Sequence, residues 1–207
     1  MVYNIQMDLR LRSPPNVSPN PPRPRYGFAA AGLHWLVGGL IAVQLGLGWW
    51  MNHAVPDHSL LQRQVEAVHI SLGLTLLLLM VLRVVVRLRR PAPPLPAAIS
   101  AWESFLAHLS HLFAYLMILG LALTGWAAVS VRKAPIQFWG ASWPRFPGLV
   151  PPLPGQPHAL GHLLTQAHAV WLVWLFVANL MLHLAGVLKH QLEGNPLLWR
   201  MWPSLRP

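Results

Sequence analysis

The chain has 207 residues, 55% of them hydrophobic and 10% charged, against the roughly 25% charged that an ordinary soluble domain carries. Fifteen Lys and Arg against five Asp and Glu give a formal charge of +10, but the basic residues fall between apolar runs, which points to membrane topology and away from nucleic acid. With no cysteine, disulfides, thiolate-bound metals, iron–sulfur clusters and covalently attached c-type haem are excluded, leaving 11 histidines as the metal-binding side chains.

Residues 1–25 contain six prolines, few apolar residues and no helical period, so this tail is expected to be disordered. Four apolar runs follow, Phe28–Met51, Val68–Val86, Phe105–Val131 and Ala169–Leu188, each near the ~20 residues that cross a bilayer. The first is longer than the ~7–15-residue apolar region of a cleaved signal and is read as a retained span. A proline-rich link, Pro91–Pro96, joins the second and third runs. Between the third and fourth, the loop from Arg132 to Gln166 holds seven prolines together with Trp139 and Trp143, and such aromatics favour the headgroup layer. The expected fold is all-α: one polytopic membrane four-helix bundle over 26–203, surrounded by the lipid bilayer.

Basic residues set its orientation. Arg10, Arg12, Arg23 and Arg25 precede the first span, Arg87, Arg89 and Arg90 end the second, and Lys189, Arg200 and Arg206 follow the fourth, whereas the opposite side has Arg63, Arg132, Lys133 and Arg145. The positive-inside rule then places both termini in the cytoplasm.

Histidines inside the spans are the functional signal, because polar groups at membrane depth are costly. His34 lies near the cytoplasmic start of the first span and His183 near the cytoplasmic end of the fourth, while His69 and His168 stand at the outer starts of the second and fourth. Depth pairs His34 with His183 and His69 with His168. His168 and His183 are 15 residues apart, about 22 Å along an ideal helix and about 60° apart in direction, so one helix face can serve both levels. A lone membrane histidine is more often an interhelical hydrogen-bonding group, but four at two matched depths point further. Facing imidazoles supply axial nitrogens to a six-coordinate iron, and the Leu, Val, Gly and Ala around them suit a flat apolar macrocycle. The pattern predicts two b-type haems, one per leaflet.

The remaining candidates are peripheral. His108 and His111, spaced i, i+3, face water or hydrogen-bond haem propionates, and His190 at the cytoplasmic boundary has the same two roles open. Arg83, the cation inside the second run, either snorkels to headgroups or pairs with a propionate. His53, His58, His158 and His162 read as solvated residues of the outer loops.

Leu33-His34-Trp35-Leu36, His69-Ile70-Ser71-Leu72-Gly73 with Met80-Val81-Leu82-Arg83, Leu106-Ala107-His108-Leu109-Ser110-His111-Leu112, and Leu182-His183 with Leu188-Lys189-His190 and Leu197-Leu198-Trp199-Arg200-Met201-Trp202-Pro203 together resemble the bacterial cytochrome b561 family over about residues 26–203. The resemblance implies a four-helix bundle in the bacterial inner membrane with two haem b groups exchanging electrons with ubiquinone, and axial ligands at His34, His69, His168 and His183. The family separates the two fourth-helix histidines by one residue less than the 15 found here. A π-bulge absorbs such a residue; otherwise His162 substitutes for His168 as the outer ligand. The N-terminal tail is also longer than the resemblance leads one to expect.

Some relatives oxidise superoxide at the outer face and pass the electron to ubiquinone; others are cytochrome subunits linking a partner dehydrogenase or hydrogenase to the quinone pool. Here Arg63, Arg132, Lys133 and Arg145 outnumber Asp57 and Glu66 on the outer side, a field that favours a small anion, with Arg132 and Lys133 as the steering residues. A histidine-rich divalent-metal transporter is the rival from another class, but none of Asp8, Asp57, Glu66, Glu103 and Glu193 lies at mid-bilayer to line a cation path.

Overall fold

The computed structural model describes residues 25–96, 98–152, 158–195 and 197–201. The proline-rich tail before them, with Arg10, Arg12 and Arg23, and Arg206 at the other end lie outside the described residues. Four helices are long and apolar enough to cross a membrane: α1 (Phe28–His53), α2 (Leu60–Arg89), α3 (Ala101–Ser130) and α4 (Ala159–Leu192). A short α5 (Leu198–Met201) follows. Successive helices pack side by side, so the chain runs up and down through the layer and presents two ends. One, here the basic end, holds the start of α1 and Arg87, Arg89 and Arg90; the other carries a small hairpin.

The helices outrun the apolar runs because polar side chains start them. Ser59 Oγ accepts from Gln62 N at 3.0 Å, so α2 begins at Leu60 rather than Val68. Ser100 and Glu103 form a reciprocal capping box that starts α3 at Ala101 rather than Phe105, each satisfying backbone donors that the first turn leaves open. On α4 the helix begins at Ala159 rather than Ala169, which moves His162 out of the expected loop and onto the helix. Its residues Ala167–Leu172 are wound as a π-helix between α-helical Ala159–Gln166 and Val173–Leu192.

The protein-buried core is small. Val37, Leu76 and Met80 form it, with Leu40, Ile41, Tyr115 and Leu119 packed around them. Large apolar side chains elsewhere face outward, Phe28 91%, Leu88 78% and Trp174 69% exposed, as expected of a surface covered by hydrocarbon. Polar pairs lock helices together inside: Ser110 Oγ donates to Asn179 Oδ1 at 3.1 Å and Asn179 Nδ2 to Ser110 O at 3.2 Å, joining α3 to α4.

The loop between α3 and α4 contains an element the sequence did not suggest, an antiparallel hairpin of β1 (Ile136–Phe138) and β2 (Ala141–Trp143). Its two-residue turn has positive φ at both Trp139 (49°) and Gly140 (87°), the combination that matches strand twist in tight hairpins. The strained Trp139 is held on α2, its N–H donating to Ser71 Oγ at 3.1 Å and its indole N–H to Thr75 Oγ1 at 3.1 Å.

At the basic end, α5 closes the bundle. Arg200 is buried, donates to Pro93 O at 2.9 Å and Pro94 O at 2.8 Å, and lies over the Tyr26 ring. Burial lowers its pKa from the ordinary arginine value. Trp35 Nε1 donates to Met201 O at 3.2 Å, tying α1 to the same segment.

Candidate functional site

The four intramembrane histidines meet in two pairs. His34 on α1 and His183 on α4 have ring centroids 6.3 Å apart, and His69 on α2 and His168 on α4 are 6.1 Å apart. A bond of about 2 Å from metal to imidazole nitrogen, plus about 1 Å to the ring centre, puts two rings on opposite sides of one metal about 6 Å apart. Both pairs have that spacing. α4 contributes to each level, with partners on α1 and α2.

At the hairpin end, His168 Nδ1 lies 2.8 Å from Leu121 O. A carbonyl only accepts, so Nδ1 carries the proton and the Nε2 lone pair is free to coordinate. The ring sits against Gly125. His69 Nδ1 is buried with no hydrogen-bond partner among the described residues, while Gln44 Nε2 donates to His69 O at 3.0 Å. His162 is exposed on α4, and it is His168 whose ring meets His69.

At the basic end the arrangement differs. Arg83 neither snorkels outward nor stands alone: Nε donates to Tyr115 OH at 3.0 Å and Nη2 lies 3.1 Å from His34 Nδ1. Guanidinium nitrogens only donate, so His34 Nδ1 accepts here and the ring proton lies on Nε2. Coordination through Nε2 requires the proton to move to Nδ1 and the guanidinium to turn from it. Arg83 Nη1 is buried without an acceptor among the described residues, an orphan that a carboxylate would satisfy. The donor set therefore fits a haem whose propionate reaches Arg83.

His111 stands edge-on to His183 with centroids 5.1 Å apart, closer than opposed ligands of one metal; its Nδ1 lies 2.6 Å from Ala107 O. His108 is exposed and likewise bonded to Ser104 O. His190 is mostly buried and 3.7 Å from Glu193. Glu103, His190 and Glu193 bring ligand atoms within 4.8 Å of one another, but Lys189 pairs with both carboxylates, which makes the cluster an ion-pair network at the end of α4.

The cations at the hairpin end have separate tasks. Arg132 is paired with Glu66 on α2, and Lys133 is exposed. Arg145 donates to the carbonyls of Ser130 (2.5 Å), Arg132 (2.6 Å), Lys133 (3.1 Å) and Ala134 (3.2 Å), closing the end of α3. Gly125, Tyr115 and Gln44 escaped the sequence reading. A glycine or polar residue at helical spacing opposite a histidine was the available signal, but it needs helix rotations that the sequence does not supply.

A membrane four-helix bundle with imidazole pairs at two depths defines the class of a b-type membrane cytochrome. Residues 25–204 match the family model described as prokaryotic cytochrome b561, and the chain belongs to that family, multi-pass membrane proteins of bacteria that bind haem b and transfer electrons. It is 30% identical over 188 residues, 88% of this chain and 98% of the relative, to a protein of Yersinia pestis named probable superoxide oxidase CybB. It is 28% identical over 179 residues, 86% of this chain and 90% of the relative, to cytochrome b561 homolog 2 of Escherichia coli strain K12.

Proposed function

We propose that the protein is a di-haem electron carrier of the bacterial inner membrane that oxidises superoxide at the hairpin end and reduces ubiquinone. The single observation that carries the reading is the pair of imidazole couples with centroids 6.3 and 6.1 Å apart. His34 and His183 hold one b haem and His69 and His168 the other; bound there, the haems supply reversible one-electron storage. The protein's own residues do the rest. Leu121 O fixes the tautomer and plane of His168. Arg83, released from His34, pairs with a propionate at the basic end, where His190 offers a further ring N–H, while His108 and His111 spend theirs on the carbonyls of Ser104 and Ala107. Lys133 and Arg132 draw the superoxide anion to the hairpin end. Two superoxide ions give two molecules of oxygen and two electrons, which with two protons convert ubiquinone to ubiquinol. By the positive-inside rule the basic end is cytoplasmic. The relative named probable superoxide oxidase supports the choice of donor.

Haem stoichiometry and the dithionite-reduced spectrum of the purified protein test the reading. Two haems are expected, one lost in His34→Ala or His183→Ala and the other in His69→Ala or His168→Ala. Colourless protein after expression with ample porphyrin, or loss of both haems from every variant alike, would overturn it. A protein that holds both haems, copurifies with a dehydrogenase and does not react with superoxide is the linking subunit instead.

A further inference from the structure

A crevice of about 420 Å³ opens between α2 and α3 at the basic end. Along α3 its wall runs from Ala107 to Leu119, about 18 Å on an ideal helix. Its lining is mainly apolar, with Val84, Leu112, Leu116 and Leu119, and its polar side chains are Arg87, Tyr26, His108, His111 and Tyr115, while Pro93 and Leu95 of the α2–α3 link border it. Leu88, Leu112 and Leu116 are 78%, 58% and 54% exposed, so the crevice opens sideways to the acyl chains of the surrounding leaflet.

Its charge has one sign. No acidic side chain lines it, and the nearby carboxylates Glu103 and Glu193 are both taken by Lys189. Arg87 has no carboxylate partner among the described residues, and the buried Arg200 guanidinium rests on the carbonyls of Pro93 and Pro94 behind the rim. A long apolar slot ending in unneutralised cations calls for an amphiphile with an aliphatic chain and an anionic head. Basic pockets between helices at this side of a membrane are where acidic phospholipid headgroups bind. A quinone head is uncharged and gains little from such a mouth.

We propose that this crevice is a binding site for an anionic phospholipid, its phosphate on Arg87 beside Tyr26 and His108 and one acyl chain laid along Leu112, Leu116 and Leu119. The site includes none of the four paired imidazoles, although His111 and Tyr115 line both the crevice and the surroundings of the His34–His183 pair.

Native mass spectrometry of the full-length purified holoprotein, delipidated and then mixed with micelles containing phosphatidylglycerol or phosphatidylcholine of the same chains, tests it. Phosphatidylglycerol is expected to be retained over phosphatidylcholine. Arg87→Gln is expected to weaken that retention about fivefold, the effect of one basic residue at a membrane surface. Arg87→Lys keeps it, and so does Arg89→Gln, which removes a neighbouring charge outside the crevice. An unchanged reduced spectrum in each variant shows that the bundle is intact. Equal retention by Arg87→Gln and the parent, equal losses at Arg87 and Arg89, equal retention of the two lipids, or displacement of phosphatidylglycerol by added ubiquinone would each overturn the proposal.

Discussion

The ring of His168 lies so close to Gly125 on the neighbouring α3 that a Cβ on that glycine would stand 2.9 Å from the ring's Cε1. Real Cβ atoms essentially never come that near, and the imidazole is tied through Nδ1 to Leu121 O, one turn earlier on the same helix, at 2.8 Å. Gly125→Ala is therefore expected to push the ring off its carbonyl and weaken the hairpin-end haem alone, leaving the His34–His183 spectral component at full size. Gly120→Ala on the same helix is the comparison, because its Cβ would meet Leu172 at an ordinary 3.7 Å and both components are expected to survive. Reduced-minus-oxidised spectra with a haem count per chain read the outcome.

The π-helical turn Ala167–Leu172 contains His168, and its last four residues lie between His168 and His183. An α-helix turns about 100° per residue, so one residue too many swings every later side chain by that angle unless a wider turn takes it up. Removing Val170 is expected to return the turn to α-helical winding with both haems retained. Removing Ala178 from the α-helical stretch has no such slack, rotates His183 away from His34, and is expected to cost one haem. Equal haem loss in the two deletions would show that the wide turn has no part in aligning the rings.

Much of this arrangement was legible in the chain because depth in a helix is simply residue count times rise, and three of the four histidines sit within long apolar runs with His168 directly before the fourth. The spacing of His168 and His183, set beside the family pattern, left open either a wide turn or a switch to His162, and the structure has the wide turn. Helix ends were less legible: Ser59 and Ser100 start α2 and α3 well before hydropathy rises, since a capped polar turn is as helical as an apolar one. Lateral partners were least legible. Arg83 could point outward or inward by its position alone, and only the rotation of α2 against α1 and α3 brings it to His34 and Tyr115. Likewise a charge count treats Arg132, Lys133 and Arg145 as equals, whereas contacts give each a different task.

Those contacts order the effects of outer charges. Arg132 shares its charge with Glu66, so its field at a distance is partly cancelled, whereas Lys133 is exposed. Lys133→Gln is expected to slow reduction of the purified protein by superoxide several-fold at low salt, Arg132→Gln to slow it less, and Glu66→Gln to quicken it. All three differences shrink as salt rises toward the range where screening acts within about 10 Å. Stopped-flow rates at several ionic strengths check the order; rates independent of Lys133 at every salt concentration would remove anion steering from the function.

Arg145 has the structural task. Its guanidinium satisfies the carbonyl of Ser130, which the end of α3 otherwise leaves unpaired, and those of Arg132, Lys133 and Ala134 in the loop beyond, and Phe146 N donates to Ser130 Oγ beside it at 2.8 Å. Hydrogen bonds from a charged donor contribute about 1.5–3 kcal/mol, so Arg145→Ala is expected to destabilise the loop by about that amount in total, since exposed members of the set recover water. Loss of the clamp frees the segment that leads into the hairpin without touching either imidazole pair. The expected result is a lower thermal midpoint in detergent and faster proteolysis within residues 132–152, with haem content and spectrum unchanged at low temperature. A superoxide rate that falls as far as in Lys133→Gln, with stability intact, would instead assign Arg145 to the approach of the anion.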